Sequence, residues 1–506
     1  MVSEEQTRKT RIFSPSFYNP ISIFGAAVAA VSLATTIFLT FVEFLQKESP
    51  PYIGIVGYVI VPAFLIFGIV LFFVGAWRER RRRRRGKPAS RLSFTFDLNI
   101  PRQRIMVTAI TTLTVIFLLF TAYGSYRTFE WTESVEFCGA TCHEVMEPEY
   151  TAYQNSPHAR VKCVDCHVGA GAGWYVRSKL SGAYQVYATL ANVYPKPIPT
   201  PIENLRPAQE TCEQCHWPSH FSGEKKYVNT YFKSDEQNTP WTIALLMKVG
   251  GGTTGRIPTS GIHWSMNIAN EITYVAADTQ RQVIPLVKSK NKQTGEETEY
   301  ISTEALETAG DVKSLPQRTM DCIDCHNRPS HIYRPPVRIV DQSLAAGAIS
   351  TELPNIRTIA LQALGDSYET AEAAMDSIPK VIENYYRENN PSVLEGKKEL
   401  IKAAGIELGL QYRNNIFPRM KVNWKVYPDN IGHMTDLGCF RCHDGKHVSA
   451  DGKVITKECN SCHTILYQGT DPRPTSLSVA GLPFQHPEDI GDSWQETNCK
   501  ECHGNY

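Results

Sequence analysis

The pentapeptide Cys163-Val164-Asp165-Cys166-His167 decides how the rest of the chain is read. Two cysteines separated by two residues, with histidine next, form the attachment signature of a c-type haem: the thiols add to the vinyl groups and the histidine reaches the iron. The pattern returns at Cys212/Cys215/His216, Cys322/Cys325/His326, Cys439/Cys442/His443, Cys459/Cys462/His463 and Cys499/Cys502/His503. A longer variant with three intervening residues stands first, at Cys138/Cys142/His143. These sites use all 14 cysteines of the chain, so no thiol is left for disulfides. Paired cysteines also build zinc knuckles and redox dithiols. A histidine directly after every pair, in a chain with only 14 histidines among 506 residues, selects haem over both.

Composition sets the frame. The chain is 42% apolar with a formal charge of +1, enough for several domains. Haems bring apolar surface of their own, so the region that carries them needs less regular structure than its length suggests. The expected class is a multihaem cytochrome c: three N-terminal transmembrane helices, then a largely helical, loop-rich periplasmic heptahaem region with a small β-hairpin insert.

The N-terminal region supplies the anchor. A polar tail at residues 1–16 precedes an uncharged run, of which Ile21 to Val42 alone is long enough to cross a hydrocarbon core of about 30 Å. A cleaved signal peptide is the competing reading. The run is too long for one, lacks a small-residue cleavage site, and is followed by a second uncharged run, Pro51 to Trp77, and a third, Ile105 to Tyr126. Between the second and third lies the basic loop 78–104, with Arg80 to Arg85 unbroken. Such a run can bind nucleic acid or anionic lipid, but beside a membrane span it reads as a topology signal that keeps the loop cytoplasmic. Three crossings then place everything after about Arg127 in the periplasm, where c-type haems are attached. Glu43, near the outer end of the first span, is either a proton-handling group or simply solvated.

The expected divisions follow: tail 1–16, anchor 17–126, first haem-bearing part 127–216, insert 217–320, fourth site 321–335, helical connector 336–430 and C-terminal trihaem region 431–506. In the insert, β-branched stretches at Tyr274 to Val287 and Glu297 to Thr303 flank a Thr294-Gly295 turn and predict a hairpin. Gly250-Gly251-Gly252 is not a phosphate loop, because no Gly-Lys-Ser/Thr follows. Residues 357–413 contain no cysteine or histidine. Ile378, Val381, Ile382 and Tyr385 fall on one helical face there, predicting two or three helices broken at Pro391.

The histidines outside the motifs are His158, His220, His263, His331, His433, His447 and His486. Their number equals that of the haem sites, which points to them as distal ligands. Haems ligated on both faces move electrons and exclude small substrates; a reductase site would need an open iron.

From the third uncharged run to His216, and again from Cys322 to His331, the sequence resembles the NapC/NirT family of membrane-anchored quinol dehydrogenases. The resemblance rests on Cys142-His-Glu-Val-Met146, on Tyr153-Gln-Asn-Ser-Pro-His158 leading into the Cys163 site, and on the basic segment Val176-Arg-Ser-Lys-Leu180. It implies Met146 as a ligand of the first haem, with His143 the alternative because the first site is longer than usual. It also implies His158 as distal ligand to the fourth site and His331 to the third. For the quinol site it implies Lys179. The family's acid is replaced near that point by Gln185, which leaves Glu144, Glu147 and Glu149 as alternative proton acceptors. Menaquinol is the implied donor, and periplasmic c-type cytochromes serving extracellular acceptors are the implied destination, in a bacterial cytoplasmic membrane. The first haem would serve input, the next three transfer, and the last three output. Two rival functions remain: a terminal reductase with an open iron in the C-terminal trio, and an electron-transfer subunit with no quinol site of its own.

Overall fold

A computed structural model describes residues 15–45, 61–86, 88, 98–169, 171–202, 206–221, 223–250 and 261–504. Most of the expected tail, the start of the second span, much of the basic loop and part of the Gly250 run lie outside them. The chain divides into two compact units, Met1–Thr132 with Val168–Gly182, and Glu133–His167 with Ala183–Tyr506.

In the first unit, α1 (Pro20–Leu45) and α2 (Val61–Arg84) pack together closely. Glycine permits the approach: a Cβ on Gly25 would lie 2.5 Å from the Phe72 nitrogen, and one on Gly68 would lie 2.6 Å from the Ala29 nitrogen. The Ser22 hydroxyl donates to the Phe72 carbonyl at 2.8 Å, so a polar side chain in an apolar helix is satisfied across the interface. Among the described residues, two segments are long and apolar enough to cross a membrane, Pro20–Ile37 and Val61–Arg84, where three were expected. The third uncharged run lies within α3 (Pro101–Thr132), a helix of 32 residues.

The second unit holds every haem motif. It begins with short helical pieces around the first two sites, including α4 (His143–Gln154), and takes in the end of α5 (Ala172–Leu190). The insert carries more strand than the expected hairpin. Strands β3 (Asn270–Val275), β4 (Leu286–Asn291) and β5 (Glu297–Ser302) form an antiparallel meander, with Tyr274 opposite Val287 and Ser289 opposite Thr298. The stretch expected as one strand, Tyr274 to Val287, thus splits at a turn where Asp278 accepts from the Gln282 and Val283 nitrogens at 2.8 and 2.7 Å. Gly295, at φ +75°, turns the chain between β4 and β5.

Both sheets recruit strands from the C-terminal region. The five-stranded one runs β6 (Gln317–Thr319), β3, β4, β5, β7 (His447–Ser449). The three-stranded one runs β1 (Lys225–Phe232), β2 (Pro240–Met247), β8 (His463–Gly469). The insert is therefore a scaffold on which the fifth and sixth sites are mounted.

The connector forms the main apolar core. It comprises α6 (Pro336–Ala345), α7 (Ile356–Gly365), α8 (Ala371–Asn389) and α9 (Lys398–Asn415), with a short helix, Pro391–Gly396, where the break was expected. The buried face of α8 is Ile378, Ile382 and Tyr386, while Val381 is 36% exposed. The expected face is thus rotated. Tyr386 rather than Tyr385 turns inward because its hydroxyl can donate to the Pro354 carbonyl, at 2.8 Å, from within the core. Gly405 of α9 lies against Pro379 of α8, where a Cβ would come within 2.6 Å of the proline Cα.

Candidate haem-binding site

Each two-residue-spaced motif winds about one turn, which presents both thiols together and sends the histidine after them. The Cys163–His167 and Cys499–His503 motifs are short helices, and the fourth motif begins as Cys322–Cys325. Two of these turns are held by reciprocal caps: Asp321 with Asp324 at the fourth site, and Asn498 with Glu501 at the seventh. The longer first site is built differently. Cys138 lies in a helix, Val135–Ala140, whose N-cap is Ser134, and Cys142 caps α4. His143 and Met146 then stand three residues apart on α4, on the same side of one helix. One residue at a time from this pair can face an iron from a given side.

The attachment thiols are not enclosed to the same degree. Cys502 of the seventh site is exposed, on the outer side of its short helix, while Cys499, three residues before it, is half-buried. Cys166, Cys215, Cys439 and Cys459 are exposed as well, and the other eight cysteines are half-buried like Cys499. The expectation that all 14 serve attachment therefore meets two surroundings. A thioether bond needs a thiol that can be reached rather than one held in a pocket, so Cys502 suits attachment by its place in the motif and not by enclosure.

Five pairs of imidazoles face one another across a near-constant gap. Ring centres are 6.1 Å apart for His158 and His216, 6.3 Å for His167 and His331, 6.3 Å for His263 and His326, 6.3 Å for His433 and His463, and 6.2 Å for His486 and His503. Two ring radii plus two metal–nitrogen bonds of about 2 Å each span such a gap. In every pair one histidine ends a cysteine motif and the other comes from elsewhere. The ring planes are nearly parallel for His263 and His326, at 8°, and nearly perpendicular for His158 and His216, at 82°.

The outer nitrogens of several rings are anchored as metal-binding imidazoles require. The Nδ1 atoms of His158, His263, His331, His443 and His486 lie 3.2, 2.6, 3.0, 3.0 and 2.9 Å from the carbonyl oxygens of Pro329, Val249, Glu149, Thr456 and Glu488. This leaves Nε2 of each available. Burial lowers the proton affinity of His167, His326, His331, His463 and His503, and takes His433 down to about 4. These rings are neutral near pH 7, the form that binds iron. The residues present therefore fit c-type haem.

The pairing differs from that implied by family resemblance. His158 faces the third site rather than the fourth, and His331 faces the second rather than the third. The insert accounts for the shift at the fourth site: it supplies His263, which takes the place opposite His326. His447 departs further. Its Nδ1 lies 2.8 Å from the Asp444 carboxylate and its Nε2 lies 2.8 Å from the Ile284 carbonyl, so neither nitrogen is left for iron. His220 sits exposed on a turn beside Trp217, with ring centres 5.9 Å apart.

Successive motifs are neighbours in space. The Cys163 thiol hydrogen-bonds that of Cys138, and that of Cys212 does the same with Cys322. Cys166 lies in the field of Cys215, Cys325 in that of Cys439, Cys462 in that of Cys439, and Cys499 in those of Cys459 and its own motif partner Cys502. From first to seventh, each attachment site thus touches the field of the next in chain order.

Residues 100–197 match the model for the N-terminal region of the NapC/NirT cytochrome c family. A cytochrome c-type protein of Geobacter sulfurreducens, ImcH, is 44% identical over 488 residues, which cover 96% of this chain and 95% of that one. The chain belongs to the NapC/NirT cytochrome c family. No solved structure matches it. As a member of that family it is an electron-transport cytochrome c with a membrane anchor of N-terminal apolar helices.

In this NapC/NirT cytochrome the residues expected at a quinol site are distributed. Lys179 and Gln185 share α5, with the Lys179 amino group 5.1 Å from the Tyr175 ring centre. Glu144 and Glu147 lie on α4, and Glu144 faces the Lys196 amino group at 3.6 Å. Burial, then Glu372, holds the Glu147 carboxyl above the usual range. Glu149 is committed elsewhere, to Arg328 at 3.4 Å and to the His331 ring at 3.0 Å. Sequence reasoning missed Asp324, inside the fourth motif. It is 2% exposed and accepts from the Tyr274 hydroxyl at 2.7 Å, Arg281 at 3.0 Å and Arg318 at 2.8 Å. Arg441, inside the fifth motif, donates to the carbonyls of Asp324 at 2.6 Å and Arg281 at 2.8 Å. This node ties the fourth and fifth sites to the insert, and no spacing rule signals it.

Proposed function

We propose that this chain is a menaquinol dehydrogenase of the bacterial cytoplasmic membrane, delivering electrons through seven c-type haems to periplasmic cytochromes in anaerobic respiration on metal or other extracellular acceptors. The observation that carries the reading is the unbroken succession of neighbouring attachment sites, which starts just after the membrane-anchor segment of the chain and ends near its C-terminus. Seven haems, when bound, supply one-electron transfer along that succession.

The protein's own residues do the rest. The cysteines fix each group covalently, the facing histidines exclude substrates from five sites, and backbone carbonyls hold four of the facing imidazoles, His158, His263, His331 and His486, in one orientation. The apolar middle of α3, read as a third crossing after α1 and α2, would carry the haem motifs that follow it to the periplasm, with the arginines ending α2 on the cytoplasmic side. Lys179 orients the quinol head group. Glu144 and Glu147 receive its protons, and Gln185 supplies a neutral hydrogen-bonding group. Either His143 or Met146 holds the first haem.

Anaerobic stopped-flow reduction of the detergent-solubilised holoprotein by a menaquinol analogue tests this. Rapid reduction of most haems, lost in Lys179→Ala, is the expected result. No reduction by quinol with normal reduction by dithionite would overturn it in favour of a subunit fed by a partner.

A further inference from the structure

The five facing pairs use ten of the 14 histidines and leave His143, His220, His443 and His447. Of these, His143 and His443 end cysteine motifs. The first site has Met146 beside it on the same helix, but nothing of the kind follows His443. Its Nδ1 is anchored on the Thr456 carbonyl, as those of the non-motif rings His158, His263, His331 and His486 are on theirs, yet among the described residues no imidazole faces the ring. The histidine that counting would assign to it, His447, is 1% exposed and has both nitrogens held by the Asp444 carboxylate and the Ile284 carbonyl. Its backbone is paired with β5 through Ser302, and releasing its ring would give up both of those hydrogen bonds at a buried position.

We propose that His443 is the only histidine ligand of the fifth haem, and that this site, alone in the C-terminal region, binds a small neutral ligand such as carbon monoxide or nitric oxide on its distal side. The surroundings favour a neutral ligand over an oxyanion. Cys442 packs against the apolar cluster of Ile272, Tyr274, Ile284 and Val287, with Ile455, Met266 and Met320 at its edge. The Arg441 guanidinium is occupied by the carbonyls of Gly438, Arg281 and Asp324. An anionic ligand would find that guanidinium already committed and the cluster beside it apolar.

The inference does not depend on quinol as donor, because dithionite suffices. Carbon monoxide uptake by the reduced, full-length holoprotein is measured from the Soret band, and bis-imidazole haems are counted by near-infrared magnetic circular dichroism. In a Cys439→Ala/Cys442→Ala variant, uptake is expected to fall by one molecule per chain while the bis-imidazole count stays unchanged. Unchanged uptake, or loss of a bis-imidazole haem, would overturn the proposal. His447→Gln, which keeps the attachment site intact, is expected to leave uptake unchanged, and a gain of one would make His447 a ligand after all. A thioether-to-iron band that disappears in the double cysteine variant would likewise overturn it, by giving the iron a methionine.

Discussion

Replacing Asp324 by alanine tests whether the insert holds the fourth and fifth sites together. The carboxylate is 2% exposed and receives Tyr274, Arg281 and Arg318 at 2.7, 3.0 and 2.8 Å. Its backbone nitrogen is also capped within the motif, and its carbonyl accepts from Arg441. Removing one partner of a buried ion pair costs about 3–5 kcal/mol, because the opposite charge is left desolvated. Arg281 and Arg318 retain 23% and 33% of their side-chain surface, so water compensates them in part and the cost belongs at the low end, about 3 kcal/mol. Asp324→Asn keeps the shape and an acceptor oxygen while removing the charge, and should lose about half of that, in the range of one hydrogen bond to a charged group. The assay is equilibrium urea unfolding of the detergent-solubilised holoprotein, followed by the Soret band. A loss under about 1 kcal/mol in Asp324→Ala, the size of an exposed pair, would refute the reasoning. So would equal losses in the two variants.

His263→Ala should remove one bis-imidazole haem from the magnetic circular dichroism count and add one carbon monoxide per chain, whereas His220→Ala should change neither; no change in the first would break the assignment of His263 to the fourth site. Low-spin electron paramagnetic resonance should show at least one strongly anisotropic signal from the perpendicular His158 and His216 rings, besides rhombic signals from the nearly parallel pairs His263/His326 and His433/His463, whose planes meet at 8° and 19°. A spectrum of rhombic signals alone would contradict those ring angles. Ile382→Ala, in the middle of the connector core, should destabilise the protein by about 2–5 kcal/mol in the same urea experiment, with Val381→Ala costing far less because that side chain is 36% exposed.

What the amino-acid sequence determined by itself is what covalent chemistry and short-range geometry fix. A Cys-x-x-Cys-His segment needs no tertiary partner to be an attachment site, even where a thiol such as Cys502 stands exposed, and a long uncharged run needs none to be apolar. The haem sites, the family resemblance and the apolar anchor were therefore legible at once. The connector helices were legible too, since a period near 3.6 is local, although the buried face turned from Tyr385 to Tyr386 once the Pro354 carbonyl offered a partner. Distal ligation was not legible. The facing rings come from residues far apart in the chain, such as His158 with His216 and His167 with His331, and equal numbers of motifs and spare histidines say nothing about which ring faces which. Only the tertiary structure decided that the insert delivers His263 to the fourth site, and that strand pairing with β5 buries His447 between two acceptors. The physical reason is range: thiol spacing is set within one turn of backbone, whereas the position of a second imidazole is set by sheets and loops that bring together rings well outside one turn of each other, as far apart in the chain as His167 and His331.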